Sequence, residues 1–161
     1  MSVEVVGFSP ELSPHFESLN RAWIEEYFEI EEADRTVFSD PFKTIVEPGG
    51  QIFFVVSDGK VFGTCAVMRL SDGIYELAKM AVAAEARGRG YGDLLIEAAI
   101  DFARQEGAER LILLSNTRLK PAIALYEKHG FRSVPITDAH EYSRVDIQME
   151  LRVSNKLFSL S

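Results

Sequence analysis

Apolar and polar positions change period several times along this chain, and each change marks an element. Residues 3–8, VEVVGF, read as a strand. From 13 to 28 the period lengthens: Phe16, Leu19, Trp23 and Tyr27 recur at helical spacing, with Ser13 placed as N-cap and Pro14 at the first helical position. A shorter helix is predicted over about 31 to 39, stopped before Pro41. Three strands follow, QIFFVVS (51–57), KVFGTCAVMRL (60–70) and GIYELAKMAV (73–82), joined by Asp-Gly and Ser-Asp-Gly hairpin turns. Helical spacing returns over about 90 to 106, where Leu94, Leu95, Ala98, Ala99, Phe102 and Ala103 share a face and Gly107 stops the helix.

ERLILLSN (109–116) is apolar without alternation, the mark of a strand buried on both faces, so a crossover helix should precede it. LKPAIALYEKHG is a helix ended by Gly130, and FRSV and SRVDIQMELRV supply two last strands. The expected fold class is α/β, in the order β-α-α-β-β-β-α-β-α-β-β. Its central sheet is mixed and mostly antiparallel, with one parallel step across the glycine loop that follows the fourth strand. One domain is expected over residues 1–152, and residues 153–161 form a tail with no assignment.

Composition narrows the partners. At 161 residues the chain can bury a real core as one domain. Seventeen Lys and Arg against 25 Asp and Glu give a net charge of −8, which disfavours nucleic acid or an anionic membrane as a general partner. Cys65 is the one cysteine, so disulfides and cysteine-based zinc sites are excluded. Its alternating apolar setting marks it as a small buried hydrophobe rather than a nucleophile. The N-terminus lacks a signal-peptide pattern, and no run reaches the roughly 20 apolar residues of a membrane helix. A cytoplasmic protein is expected.

The stretch that carries chemistry is EARGRGYGD, residues 85–93. Glycine takes positive φ freely, and a glycine turn feeding a helix aims several N–H groups at one place, where the helix dipole adds positive charge. Such a turn suits a phosphate or pyrophosphate, and Arg87 and Arg89 match phosphate oxygens. A plain strand-to-helix turn with solvated arginines is the alternative. The nucleotide P-loop is excluded, because Gly92 is followed by Asp93-Leu94 rather than Lys-Ser/Thr. The dinucleotide fingerprint fails as well: Asp93 stands at its third glycine, after an antiparallel meander.

Arg87-x-x-Gly90-x-Gly92 resembles the (Arg/Gln)-x-x-Gly-x-(Gly/Ala) motif of the GNAT superfamily of N-acetyltransferases, which binds the pyrophosphate of acetyl-CoA. LSNTRLKPAIALYEKHGF is similar to that family's second signature, an Asn after a strand and then A-x-x-L-Y-x-x-x-G-F. The resemblance covers roughly residues 50 to 133 and agrees in element order.

This resemblance implies an acetyl-CoA-dependent N-acetyltransferase, with acetyl-CoA as co-substrate and no metal. An amine would attack the thioester directly, through a tetrahedral intermediate. Backbone amides of Arg87, Gly88, Arg89, Gly90, Tyr91, Gly92 and Asp93 would close on the pyrophosphate. A backbone N–H among Met80, Ala81 and Val82 would meet the oxyanion, and Asn116 would contact the pantetheine arm. Glu76 matches the catalytic glutamate of several protein-acetylating members, and alternation places it on one strand face with Ala78, Met80 and Val82. Tyr126 matches the tyrosine that protonates the departing sulfur.

Each residue keeps a structural alternative: a paired strand-edge glutamate, a core tyrosine, a loop or cap asparagine. The acceptor is open. In this family the first two helices and last hairpin form its pocket, and here that region holds Glu25, Glu26, Glu29, Glu31 and Glu32, a run that also suits a solvated face. Arg144 could bind a substrate carboxylate or pair with Asp146, and His140 lies nearby. The leading expectation is a small primary amine as acceptor. Protein lysines or N-termini, and a non-catalytic acetyl-CoA sensor, are the alternatives, and a homodimer is left open.

Overall fold

The computed structural model of the chain describes residues 2–136 and 142–153. His140 and the tail from residue 154 onward lie outside them. Among the described residues, seven strands and four helices follow one another as the sequence pattern predicts: β1 (Val3–Val6), α1 (Ser13–Tyr27), α2 (Glu32–Ser39), β2 (Gln51–Ser57), β3 (Lys60–Ser71), β4 (Ile74–Val82), α3 (Tyr91–Gln105), β5 (Arg110–Ser115), α4 (Lys120–Lys128), β6 (Arg132–Val134) and β7 (Ile147–Arg152). The strands form one sheet in the order β1-β2-β3-β4-β5-β7-β6. Every neighbouring pair is antiparallel except β4 and β5, which α3 joins as a parallel crossover.

Each face of the sheet carries its own apolar cluster. On one, Leu95, Ile96, Ala99 and Ala103 of α3 meet Val55, Val67, Leu77, Leu111 and Leu113. Cys65 is fully buried there, as its pattern implied, and burial pushes its thiol pKa up. On the other, Phe16 and Ile24 of α1 and Val37 and Phe38 of α2 cover Ile52, Phe54 and Ala66. The apolar run of β5 serves both faces. Leu111 and Leu113 join the first cluster, while Ile112 faces a cavity beneath α2. None of the described helices is long and apolar enough to cross a membrane.

Three local readings are corrected. Ser13 is not the N-cap of α1: Leu12 is, in helical geometry, with its N–H already bonded to Ser9 O, so the Ser13 hydroxyl has no cap to make. α2 stops before Pro41 as expected, and a π-helical turn, Phe42–Val46, follows it. β7 begins at Ile147 rather than at 143, because the turn before it spends its polar groups elsewhere. Asp146 accepts hydrogen bonds from the Thr117 N–H and hydroxyl, and Ser143 donates to Glu31.

The third correction concerns β4. Thr64 lies opposite Ala81 and Ala66 opposite Ala78, so β4 carries one extra residue, a bulge at Lys79 and Met80. Lys79 has φ +54°, a left-handed conformation uncommon outside glycine. The bulge reverses the parity of the strand. Glu76, Ala78 and Lys79 border the cavity beneath α2, while Met80 and Val82 pack against the α3 cluster, so Glu76 and Met80 do not share a face.

Candidate active site

β4 and β5 are paired only from Ile74–Arg110 to Glu76–Ile112. Beyond that point β4 runs on to Val82 and β5 to Ser115, and the two part around the bulge. Two cavities open on the split and share Trp23, Ala78, Lys79, Leu114, Ser115 and Leu119 as common wall. One, of about 470 Å³, is closed by the glycine loop and α4. The other, of about 650 Å³, lies beneath α2.

The smaller cavity gathers most of the residues singled out from the sequence: Met80, Ala81, Val82, Arg87, Gly88, Gly90, Tyr91, Gly92, Asp93 and Tyr126. Gly88 and Gly90 have φ of +82° and +83°, and Gly90 is the N-cap of α3. The first-turn N–H groups of α3 have no acceptor within their own helix, so Tyr91, Gly92 and Asp93 present backbone donors and the positive dipole end at this wall. The donor set fits a phosphate or pyrophosphate.

Glycine meets a different need at each of these positions. A Cβ at Gly90 would meet nothing within 4 Å, so that position is set by φ alone, whereas a Cβ at Gly92 would stand 2.7 Å from Leu125 Cδ2. Gly92 lets α4 lie close on α3. Asp93 Oδ1 accepts from Lys128 Nζ at 2.8 Å and lies 2.7 Å from His129 Nε2, which lowers the carboxyl pKa and clips the two helices together. Its carboxylate therefore serves the frame of the loop. Arg87 stands 3.5 Å from Glu26 of α1, and Arg89 lies outside the cavity wall.

Tyr126 is buried, with its ring edge-on to Phe131 at 6.0 Å. Burial pushes its phenol pKa up, so it stays protonated across the neutral range.

Glu76 lines the larger cavity, across the common wall from Tyr126. Asn116 also faces this larger cavity. Its amide donates to Arg144 O at 2.7 Å and accepts from the Arg118 N–H at 2.8 Å, the work of a loop brace. Between them lies a cluster that sequence reasoning missed. Asp34 of α2 is fully buried and accepts from Arg144 Nη1 and Nη2 at 2.9 and 2.7 Å, from Lys79 Nζ, and from the Glu31 N–H at 2.9 Å. Arg144 also reaches Glu31 at 3.4 Å, and the Tyr142 ring lies against both cations, 4.4 Å from Lys79 Nζ and 4.5 Å from Arg144 Cζ. Arg144 thus pairs with Asp34 and Glu31, while Asp146, one of the two partners the sequence left open for it, turns to Thr117. Burial opposes the charge on Asp34, but the hydrogen bonds from Arg144, Lys79 and Glu31 outweigh it and hold the carboxyl at about 2. Burial likewise pulls the Lys79 ammonium pKa down, against the pull of Asp34.

A family model described as the acetyltransferase (GNAT) family matches residues 14–131. The chain belongs to the GNAT acetyltransferase family. Among its relatives, an uncharacterized N-acetyltransferase of Bacillus subtilis is 31% identical over 73% of this chain and 47% of its own length. Human N-acetyltransferase 8B is 28% identical over 86% of this chain and 63% of its own length. The chain thus spans about half to three fifths of these relatives. Solved folds agree: a GNAT acetyltransferase of Staphylococcus aureus superposes with TM-score 0.87 at 15% identity, covering 95% of this chain and all of that one. A Salmonella typhimurium acetyltransferase solved with acetyl-CoA does so with TM-score 0.72 at 16% identity, over 96% of each chain.

In this GNAT chain, the missed residues left faint traces in the sequence. Asp34 sits on the same face of α2 as Val37 and Phe38, three and four residues on, so a carboxylate there points inward. Lys79 interrupts the apolar run LAKMAV of a central strand. Neither residue names its partner, because Lys79 and Arg144 lie 45 and 110 positions from Asp34.

Proposed function

We propose that the chain transfers an acetyl group from acetyl-CoA to the primary amine of a small molecule. One observation carries this: the parting of β4 from β5 joins a cavity with a phosphate-suited loop to a second cavity bearing a carboxylate. The donor molecule brings the activated acyl group as a thioester. The loop from Arg87 to Asp93 would hold its pyrophosphate, and the glycine φ values and the α3 dipole are matched to that charge. Backbone N–H groups at the Lys79–Met80 bulge, released from the regular ladder, would stabilise negative charge developing on the acyl oxygen.

Glu76 would take the proton from the attacking ammonium on one side of the common wall, and Tyr126 would give one to the departing sulfur on the other. The two residues face different cavities, as a base for one substrate and an acid for the other require. Asn116 would act by bracing the 142–146 turn rather than by touching the pantetheine, since both ends of its amide are engaged with backbone.

The comparisons support acetyl transfer through the family model, while solved structures support the fold alone. A Neisseria gonorrhoeae N-acetylglutamate synthase solved with coenzyme A and N-acetyl-glutamate shares the fold with TM-score 0.71, this chain covering 36% of it. The test has two readings. Acetyl-CoA at 100 times its Kd should stabilise the chain by about 2.7 kcal/mol in thermal unfolding, and a panel of primary amines should release free thiol. An absent shift would refute the donor, and thiol release indifferent to every amine would refute the transfer.

A further inference from the structure

The apolar part of the wall of the cavity beneath α2 includes Trp23, Phe28, Val37, Met68, Ile112 and Leu114. Two cations border it, Lys79 and Arg144, and these are the groups that would read a substrate carboxylate. Both are already committed. Arg144 turns the two ends of its fork onto the two oxygens of Asp34, and Lys79 closes on the same carboxylate. The side chains are 6% and 11% exposed, and Asp34 behind them is 0% exposed, so the three form one buried unit with the Tyr142 ring against both cations. A carboxylate entering the cavity would have to pull a cation from a buried partner and leave that partner uncompensated.

Charge points the same way. Asp34 and Glu31 offset Lys79 and Arg144, Arg35 pairs with Glu32 at 3.0 Å, and the remaining charged residue on the cavity wall, Glu76, is acidic and within electrostatic reach of Lys79. The field in the cavity favours an ammonium. From this internal neutralisation, and on the reading of the site given above, we infer that the acceptor is a hydrophobic primary amine with no carboxylate beside its amino group. Its apolar body lies against Trp23, Phe28 and Met68, and its ammonium is directed to Glu76.

Matched acceptors test this: 2-phenylethylamine against phenylalanine, and tryptamine against tryptophan. They are compared by thiol release from acetyl-CoA and by calorimetric binding to the full chain saturated with coenzyme A. The amine of each pair should exceed the amino acid at least tenfold in kcat/KM and bind more tightly. Amino acids that equal or surpass their amines would overturn the inference, as would a failure of both members of both pairs to bind. Should the amines bind selectively while no acceptor raises thiol release, the transferase reading falls and the inference about the cavity stands.

Asp34→Asn keeps the shape of the side chain and frees the Arg144 fork, so it should narrow the amine preference at least fivefold, through tighter binding of phenylalanine. Glu31→Gln, a change at the half-buried end of the network, should shift it the same way to a smaller extent and serves if Asp34→Asn does not fold. A preference unmoved in the folded variants would overturn the role given to the ion pairs.

Discussion

Asp34 is one carboxylate holding two buried cations, and its ionisation has a calculable consequence. In the folded chain its carboxyl sits at about 2, against an ordinary 3.8. Between those values the unfolded chain binds the proton and the folded chain does not, so folding stability is fully present above about pH 4 and drains as pH falls toward 2. At about 1.4 kcal/mol for each pH unit of difference, Asp34 contributes about 2 kcal/mol. Urea melts from pH 5 to pH 2 should show that loss. In Asp34→Asn the starting stability should be lower and this part of the acid slope should vanish.

Two more residue predictions follow from the opposed placement of Glu76 and Tyr126. Glu76→Gln should lower kcat roughly 10²-fold while leaving the thermal shift by acetyl-CoA unchanged, and the fall in rate on the acid side of the pH–rate profile should be lost with it. Tyr126→Phe should cost a similar factor, roughly 10²-fold in thiol release, because no other proton donor is assigned to the departing sulfur.

At the scale of elements, the loop before α3 depends on backbone conformation at Gly90 and on the fit of α4 at Gly92. A Cβ at Gly90 has open space but φ of +83°, so Gly90→Val is penalised by conformation alone, by about 1–2 kcal/mol. The chain should still fold, with Tm lowered by a few degrees, while acetyl-CoA no longer shifts it. Gly92 differs: a methyl there meets only the flexible end of Leu125, and the Asp93 bonds to Lys128 and His129 still hold α3 to α4.

The same comparison shows what the sequence could disclose. Positive φ and a dipole at a helix start are local properties, written in consecutive residues, and the loop was legible. The bulge in β4 was not, because ELAKMAV is apolar on both sides of its alternation, at Leu77, Ala78, Met80, Ala81 and Val82, so a slip of one residue leaves no trace in the pattern. The Asp34–Lys79–Arg144 cluster was hidden for another reason. Its members come from a helix, a strand and a turn, and only the fold brings them together. Ser13 shows the converse: a residue of good capping type is passed over when the preceding turn already supplies the bonds.

At the scale of the molecule, the order of elements along the chain and the one parallel step were legible almost whole, whereas the order of strands in the sheet comes from the fold. Only the pairing of β4 with β5, three residues long, decides whether the sheet is closed or split. That short pairing also bears on the kinetics. The two cavities lie toward opposite faces of the sheet, one under α4 and the loop, the other under α2, and touch at a wall only a few side chains wide. On the proposed reading each reactant would have its own cavity, so neither would have to depart before the other arrives. Initial rates measured while both concentrations vary should give double-reciprocal lines that intersect, and parallel lines would mean that the two never occupy the chain together.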